Sequence, residues 1–491
     1  MGFTLYGLLI AGICLLMLVL KRPLREFVML LVVCGVFGAA EAMSLPMLGG
    51  ASLTAPNFCV LFVIVKCLFI ANRKPKLAAS AIKANSYLLL AALYGLIVAF
   101  TMPRLLEGAM SVFAMRPQPF RTLLTFTSQN ITQSVYLILT ALASVAGYMM
   151  AQSPKGFSTL ALGWTIAALL FILFGLVDLA SFYAGAGDML AWLKTANYAI
   201  LSQSADGIRR ISGSFPEPSS FAAFGAAPMI LFAYMWLVDV KSTQSGLLAL
   251  GVAILIGLST SATGFATLGM LLLMILVAGV ITPMPRLTRR RKFVVFAVMA
   301  AISVVAIIGV SAMMPAFADK FAKIFTSNTI DKRTSASAVE RGIWAAQGWD
   351  AFLLSKGVGI GPGSFRSSGI AQAILGSMGV FGVICLLLYL GKIWRAITRR
   401  VRSPQRPRVI ACGLTSLLIL TPAFLVSASP DPGVIFGLMA GFVLGLDRRT
   451  RIEASLLAAD ARDEEDYYPD LPADTVAARD GAHETSRLSR A

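Results

Sequence analysis

Apolar runs near the length of a bilayer-crossing helix recur from one end of this chain to the other, and two long charged loops interrupt them. About thirteen such runs can be drawn, at 2–20, 24–42, 56–71, 84–101, 130–150, 158–177, 221–238, 244–260, 264–282, 292–314, 369–390, 409–427 and 432–446. A helix rises about 1.5 Å per residue, so each run approaches the roughly 30 Å of hydrocarbon that a spanning segment must cross. Lipid offers backbone N–H and C=O groups no partner, so these runs are predicted to be helices. A membrane β-barrel would instead show short alternating segments.

Composition agrees with lipid as the solvent. Apolar residues make up 57% and charged residues 13% of the 491, with a mean hydropathy of +0.78; a soluble chain carries about 25% charged residues. The formal charge of +18 is spread over short connections between apolar runs. That pattern marks membrane orientation and argues against nucleic acid as a partner. Membrane lipids and a diphosphate-bearing substrate are the expected partners. Cys14, Cys34, Cys59, Cys67, Cys385 and Cys412 all fall in or beside apolar runs, so they read as small buried hydrophobes rather than a disulfide framework. The first run lacks a basic leader and a clear small-residue cleavage site, and is read as a retained span.

The connections at 21–25, 72–83, 285–292 and 391–408 fall on one side, the last holding seven Lys or Arg residues. Cytoplasmic loops concentrate such residues, which places the two long loops on the outer side. The expected fold is all-α, a polytopic bundle of about 12–14 transmembrane helices. Its expected parts are an N-terminal bundle at 1–177, a first large outer loop at 178–220 and central helices at 221–314, then a second large loop at 315–368, C-terminal helices at 369–446 and a cytoplasmic tail at 447–491. Beyond a short helix the charged tail is expected to be largely disordered.

Chemistry is expected in the two loops. The first contains Arg209 and Arg210 directly before a turn reading Ser212-Gly213-Ser214-Phe215-Pro216-Glu217-Pro218. Such a turn can hold the Glu217 carboxylate near a helix start, with Ser219 or Ser220 as the cap. The second loop places Glu340, Arg341, Trp344, Trp349 and Phe352 in an amphipathic pattern expected to lie on or dip into the outer interface. A segment with Gly357, Gly359, Gly361 and Gly363 follows, ending Ser364-Phe365-Arg366. It lacks the Gly-Lys-Ser/Thr ending of a nucleotide-binding loop; its glycines are expected to allow a tight turn and close backbone approach to a polar ligand.

Arg341 and Arg366 offer planar forks of N–H donors that match phosphate oxygens. Fixed guanidinium groups stabilise the charge that develops on a lipid diphosphate as its glycosyl bond breaks. A nearby carboxylate then accepts the proton of an attacking hydroxyl; Glu217 leads, with Glu340 and Asp350 behind it. Lys320, Lys323 and Lys332 read as a solvated basic face. The lone histidine, His483, lies in the tail, which leaves no histidine base or histidine metal site for the bundle. No cofactor or metal is expected.

At 210–222 (RISGSFPEPSSFA) and 340–365 (ERGIWAAQGWDAFLLSKGVGIGPGSF) the chain resembles the bacterial O-antigen ligase/polymerase superfamily, particularly its polysaccharide repeat-unit polymerases. The likeness combines the polytopic layout of nearly the whole chain with an Arg-led amphipathic helix and a Gly-rich turn ending in Phe. It implies inverting transfer of a growing glycan from undecaprenyl diphosphate to a lipid-linked repeat unit. The resemblance further implies an inner-membrane protein with its site facing the periplasm, between the large loops and the membrane cavity. Arg209, Arg210, Arg341 and Arg366 would then contact the donor diphosphate, with Glu217, Arg210 and Arg341 catalytic and Glu340, Trp344, Gly357, Gly359 and Gly361 in support. Implied partners are the undecaprenyl-diphosphate-linked oligosaccharide, a chain-length regulator and a flippase of the same pathway.

Ligases of this family commonly carry a histidine soon after the Gly-rich turn, where this chain reads Phe365-Arg366-Ser367-Ser368. That departure favours a polymerase over a ligase or another lipid-linked glycosyltransferase. A lipid-linked glycan flippase is the non-enzymatic alternative; it would need repeats or polar midplane segments, for which Lys66 and Pro228 are the only hints.

Overall fold

The computed structural model describes residues 2–45, 51–115, 120–196, 204–205, 208–281, 336–401 and 403–467. The expected run at 292–314, the three lysines of the solvated face and His483 lie outside them. Among the described residues the helices are α1 (Leu5–Val19), α2 (Leu24–Cys34), α3 (Ala55–Arg73), α4 (Pro75–Ala84), α5 (Ser86–Leu105), α6 (Ser128–Ala151) and α7 (Gly156–Tyr183). There follow α8 (Pro218–Leu237), α9 (Ser242–Leu258), α10 (Ala262–Ile281), α11 (Ala336–Leu354), α12 (Ile370–Thr398), α13 (Arg406–Val426) and α14 (Val434–Tyr467). Small antiparallel sheets cap one end: β1 (Gly2–Phe3) with β2 (Glu41–Leu45) and β3 (Ala51–Thr54), the hairpin β4 (Ser111–Phe113)–β5 (Arg121–Leu123), and β6 (Ser204–Ala205) with β7 (Ile208–Arg209).

Among the described residues, α3, α5, α6, α7, α8, α12 and α13 are long and apolar enough to cross a membrane. Large apolar side chains such as Leu68, Leu93, Leu169 and Leu387 face outward, a pattern that costs little only when the surroundings are lipid. The chain is an all-α, polytopic membrane bundle. All six cysteines are buried free thiols.

Several expected boundaries move. The run at 24–42 is not one span: α2 stops at Cys34, about 17 Å of helix, and the chain turns at Gly35 and Gly38 to enter β2. Phe224 and Phe215 occupy the space where side chains at those glycines would sit. The basic connection at 72–83 is mostly the helix α4. Past residue 446 the tail remains helical to Tyr467, supported by i,i+4 ion pairs Asp447–Arg451 and Arg449–Glu453.

The most extensively packed helix pair among the described residues is α6 with α14. Gly437, Gly441 and Gly445 lie four residues apart on α14 and meet the backbone of Thr140, Ser144 and Tyr148, also four apart on α6. The matching order makes the two helices parallel. Lipid supplies no hydrophobic drive between helices, so close backbone approach through small residues provides the dispersion energy.

The run at 369–390 also departs from a simple helix. Inside α12, Gly379 takes φ 57° and ψ −153°, and the freed backbone groups are taken up by the Gly-rich segment. Ile360 N–H donates to Gly376 O (2.8 Å), Gly361 N–H to Ser377 O (2.9 Å), and Val380 N–H to Gly357 O (2.9 Å). Broken helical hydrogen bonds are thereby remade by a neighbouring segment, as an apolar interior demands.

Substituting Gly441→Val puts a side chain into the Ser144 backbone and should cost about 1–3 kcal/mol or more. Gly12→Val meets nothing within 4 Å and should leave stability unchanged. Thermal unfolding of the two variants in detergent separates these outcomes.

Candidate functional site

The first strap is organised by a carboxylate outside the expected set. Asp178, fully buried near the end of α7, accepts from Arg209 Nε (3.0 Å) and Nη2 (2.5 Å), and from the backbone N–H groups of Ser212 (2.7 Å) and Gly213 (2.9 Å). Asp188 pairs with Lys194 at 2.7 Å, and the same ammonium donates to Ser212 Oγ at 3.2 Å. Ser214 Oγ then donates to Val36 O (2.6 Å), and Ala39 N–H donates to Ser214 O (3.2 Å), which ties the strap to the turn after α2. Arg209 is therefore committed to Asp178 and stands apart from the ligand set expected of it. Its neighbour Arg210 belongs to a different cluster.

After Pro216 the chain enters α8 with Glu217 as the N-cap residue. The expected serine cap is absent. Ser219 Oγ donates to Glu217 Oε1 instead of accepting from the helix. Glu217 O accepts from Ser220 and Phe221 N–H, both at 3.1 Å. The carboxylate thus sits at the positive end of α8, where the helix dipole favours an anion.

The second strap is α11 with the Gly-rich segment, docked on the β4–β5 hairpin. Gln347 Oε1 accepts from Phe113 N–H (3.0 Å), and its Nε2 donates to Ser111 O (3.2 Å). Trp344 turns inward, edge-on to Phe113 at 6.5 Å, rather than outward as a lipid anchor. Trp349 is the exposed indole, stacked on Phe352 at 5.4 Å. Gly359, Gly361 and Gly363 approach backbone, as expected, but that of Ser377, Ala99 and Gln129 on α12, α5 and α6. The close approach is to protein rather than to a ligand. All three have φ near +90°, a region that side chains disfavour.

This buried passage aims the residues that follow it. Arg366 N–H donates to Phe113 O (3.0 Å), and its guanidinium lies 4.6 Å over the Trp344 ring. Ser368 Oγ donates to Arg341 O at 2.7 Å. Arg210 and Arg366, far apart in sequence, both come within electrostatic range of Glu217, and Arg341 acts on both guanidinium groups, with Glu340 also acting on Arg366. Burial lowers the affinity of the Arg210 guanidinium for its proton; Glu217 opposes that and Arg341 adds to it. Arg366 is lowered by burial too, against Glu217 and Glu340 and with Arg341.

Three donors in the cluster are buried and have no acceptor among the described residues: Arg210 Nε, Arg366 Nε and Trp344 Nε1. Buried donors usually find partners. Two guanidinium edges and an indole N–H left over near one carboxylate make a set of donors suited to an anion with several oxygens. Asp350 is exposed on α11 and appears in none of these contacts. Among the described residues no three His, Cys, Asp or Glu side chains gather as a metal-ligand set.

The loop reading missed Asp178, the 111–123 hairpin and Asn130, which connects α6 to the Gly-rich segment. Asn130 Oδ1 accepts from Thr127 N–H (2.9 Å), while Nδ2 donates to Pro362 O and Ser364 Oγ, both at 2.8 Å. The Thr-x-x-Asn spacing before an apolar run was the available signal, a variant of a capping box.

Replacing Asp178 with Asn strands a buried guanidinium and should cost about 3–5 kcal/mol. Arg210→Ala removes a cation from a crowded cationic cluster and should leave thermal stability unchanged or raised. Unfolding temperatures of the two variants in one detergent test this division of labour between neighbouring arginines.

No protein-family model matches the chain, and no curated protein sequence matches it.

Proposed function

We propose that the chain is a polysaccharide polymerase of the inner membrane, resembling the repeat-unit polymerases of the O-antigen ligase/polymerase superfamily. It moves a growing glycan from undecaprenyl diphosphate to a lipid-linked repeat unit, for O-antigen, capsule or exopolysaccharide. In this reading the bundle has about 12–14 spans, the sheet-capped end faces the periplasm and the Lys/Arg-rich end faces the cytoplasm. The observation that carries it is the gathering of Arg210 and Arg366 around Glu217, with Arg341 beside both arginines and two guanidinium donors without an acceptor among the described residues.

The chemistry follows from those charges. A hydroxyl of the acceptor sugar attacks the anomeric carbon of the donor glycan from the face opposite the diphosphate. A new C–O bond forms as the bond to the leaving oxygen breaks, so configuration inverts. The hydroxyl proton passes to Glu217, whose Oε1 is held by Ser219, leaving Oε2 to receive it. The electron pair leaves with the lipid diphosphate, and the three guanidinium groups hold the added charge. The Trp344 ring lies beneath the Arg366 guanidinium and steadies it. Arg209 has no part in the step, because Asp178 holds it.

Arg341→Ala and Arg210→Ala should each lower elongation of lipid-linked repeat units about 100-fold or more with membrane insertion intact. Glu217→Gln should lower it by a similar about 100-fold. Polymer yield and length in membranes carrying equal amounts of each variant provide the measurement. Unchanged polymer from Arg341→Ala would remove the diphosphate assignment. Full activity of Glu217→Gln would leave that side chain only a role in shaping the turn.

A further inference from the structure

At the end of the bundle opposite the arginine cluster, a cavity of about 230 Å³ opens between α12, α14 and α6. Two basic helix stripes line it. Lys392 and Arg395 on α12 and Arg399 at its C-cap recur three or four residues apart, and Arg448 and Arg451 do so on α14. Ala396 and Leu444 add apolar lining. Lys392 lies twenty-two residues along α12 from Ile370, about 33 Å at the helical rise, so this cavity is well removed from the side-chain cluster around Arg366.

We propose that the cavity binds an anion carrying two adjacent phosphates, either the headgroup of a membrane lipid or a free diphosphate. Five cations face a single carboxylate, Asp447. Its Oδ2 accepts from Arg399 Nη1 (2.8 Å) and Arg451 Nε (3.2 Å), which orients both guanidinium groups. Arg448 Nη1 donates to Tyr148 Oη at 3.3 Å, and Tyr148 Oη is itself 2.7 Å from Ser80 Oγ. The Lys392 ammonium is anchored on Ala84 O at 3.0 Å and lies 4.3 Å from the centre of the Tyr87 ring. Arg395 is exposed at the cavity edge and makes no ion pair among the described residues.

That arrangement selects by charge and by size. Five cations and one carboxylate leave a net charge of four; a single phosphodiester offsets a quarter of it, two phosphodiesters offset half, and a free diphosphate offsets most of it. Guanidinium forks and one ammonium are the donors that phosphate oxygens prefer. The volume is below the roughly 300–1,000 Å³ of ordinary small-molecule sites, so it admits a headgroup and excludes a sugar chain. Leu387, Leu388 and Trp394 are exposed on the same stretch of α12 and offer acyl chains a path beside the headgroup. Basic residues that only report orientation need no concavity and no shared carboxylate to align them. The inference is independent of the glycan transfer proposed above.

The test uses the full-length chain in detergent, offered cardiolipin (two phosphodiesters) or phosphatidylglycerol (one) at equal lipid charge. Retained lipid is read by native mass spectrometry, and binding of inorganic diphosphate by calorimetry. Cardiolipin should be retained about tenfold better, and Arg395→Gln combined with Arg448→Gln should abolish that preference with unfolding temperature unchanged. Diphosphate that binds without any cardiolipin preference supports the site and makes its ligand a soluble one. Equal retention of the two lipids with no diphosphate binding overturns the proposal, as does equal binding by wild type and variant. If the double variant misfolds, competition on the unaltered protein decides: neither a cardiolipin preference nor binding of inorganic diphosphate overturns it.

Discussion

The polar end of this protein depends on a helix that is broken and then repaired. At Gly379 the backbone of α12 leaves helical geometry, and in an apolar bundle the released N–H and C=O groups must find other partners. The segment at 357–361 supplies them through three backbone hydrogen bonds. It can do so only because Gly359, Gly361 and Gly363 carry no side chains where the backbones of α12, α5 and α6 close in. Asn130 clamps the same segment from the start of α6. Ser364, Phe365 and Arg366 follow directly, so the packed segment delivers Arg366 to Phe113 O and the Trp344 ring, which hold it there.

A second constraint separates two adjacent arginines. Asp178 takes two bonds from Arg209 and two from backbone N–H groups, a satisfied buried pair whose loss on either side would leave a charge stranded. Extended backbone sends successive side chains to opposite faces. With Arg209 fixed toward Asp178, Arg210 comes into range of Glu217 and Arg341. One arginine gives the strap its shape, and the other keeps a donor without an acceptor among the described residues.

Much of the bundle was legible because apolar length is a direct demand of lipid. α3, α6, α7, α8 and α13 fall close to the runs that mark them. The run at 24–42 misled because hydropathy does not distinguish a helix from a buried turn and strand; Gly35 and Gly38 were the visible cue. The tail was read from charge content alone, although Asp447–Arg451 and Arg449–Glu453 already had helical spacing. Arg210, Glu217, Arg341 and Arg366 were visible as loop residues beside turn-forming Gly and Pro. Their neighbours were not: Asp178 ends an apolar run as a single unremarked carboxylate, and the 111–123 hairpin acquires meaning only when α11 packs on it. Arg209 and Arg210 are indistinguishable in sequence, since the difference between them is a tertiary contact.

The most direct test of the central claim is the size-resolved profile of lipid-linked glycans in a strain from which this chain alone is deleted. The polymerase account predicts single repeat units accumulating on the carrier in the periplasmic leaflet, with long polymer lost and restored by the wild-type chain. Finished polymer accumulating on its carrier, or repeat units held in the cytoplasmic leaflet, would contradict it.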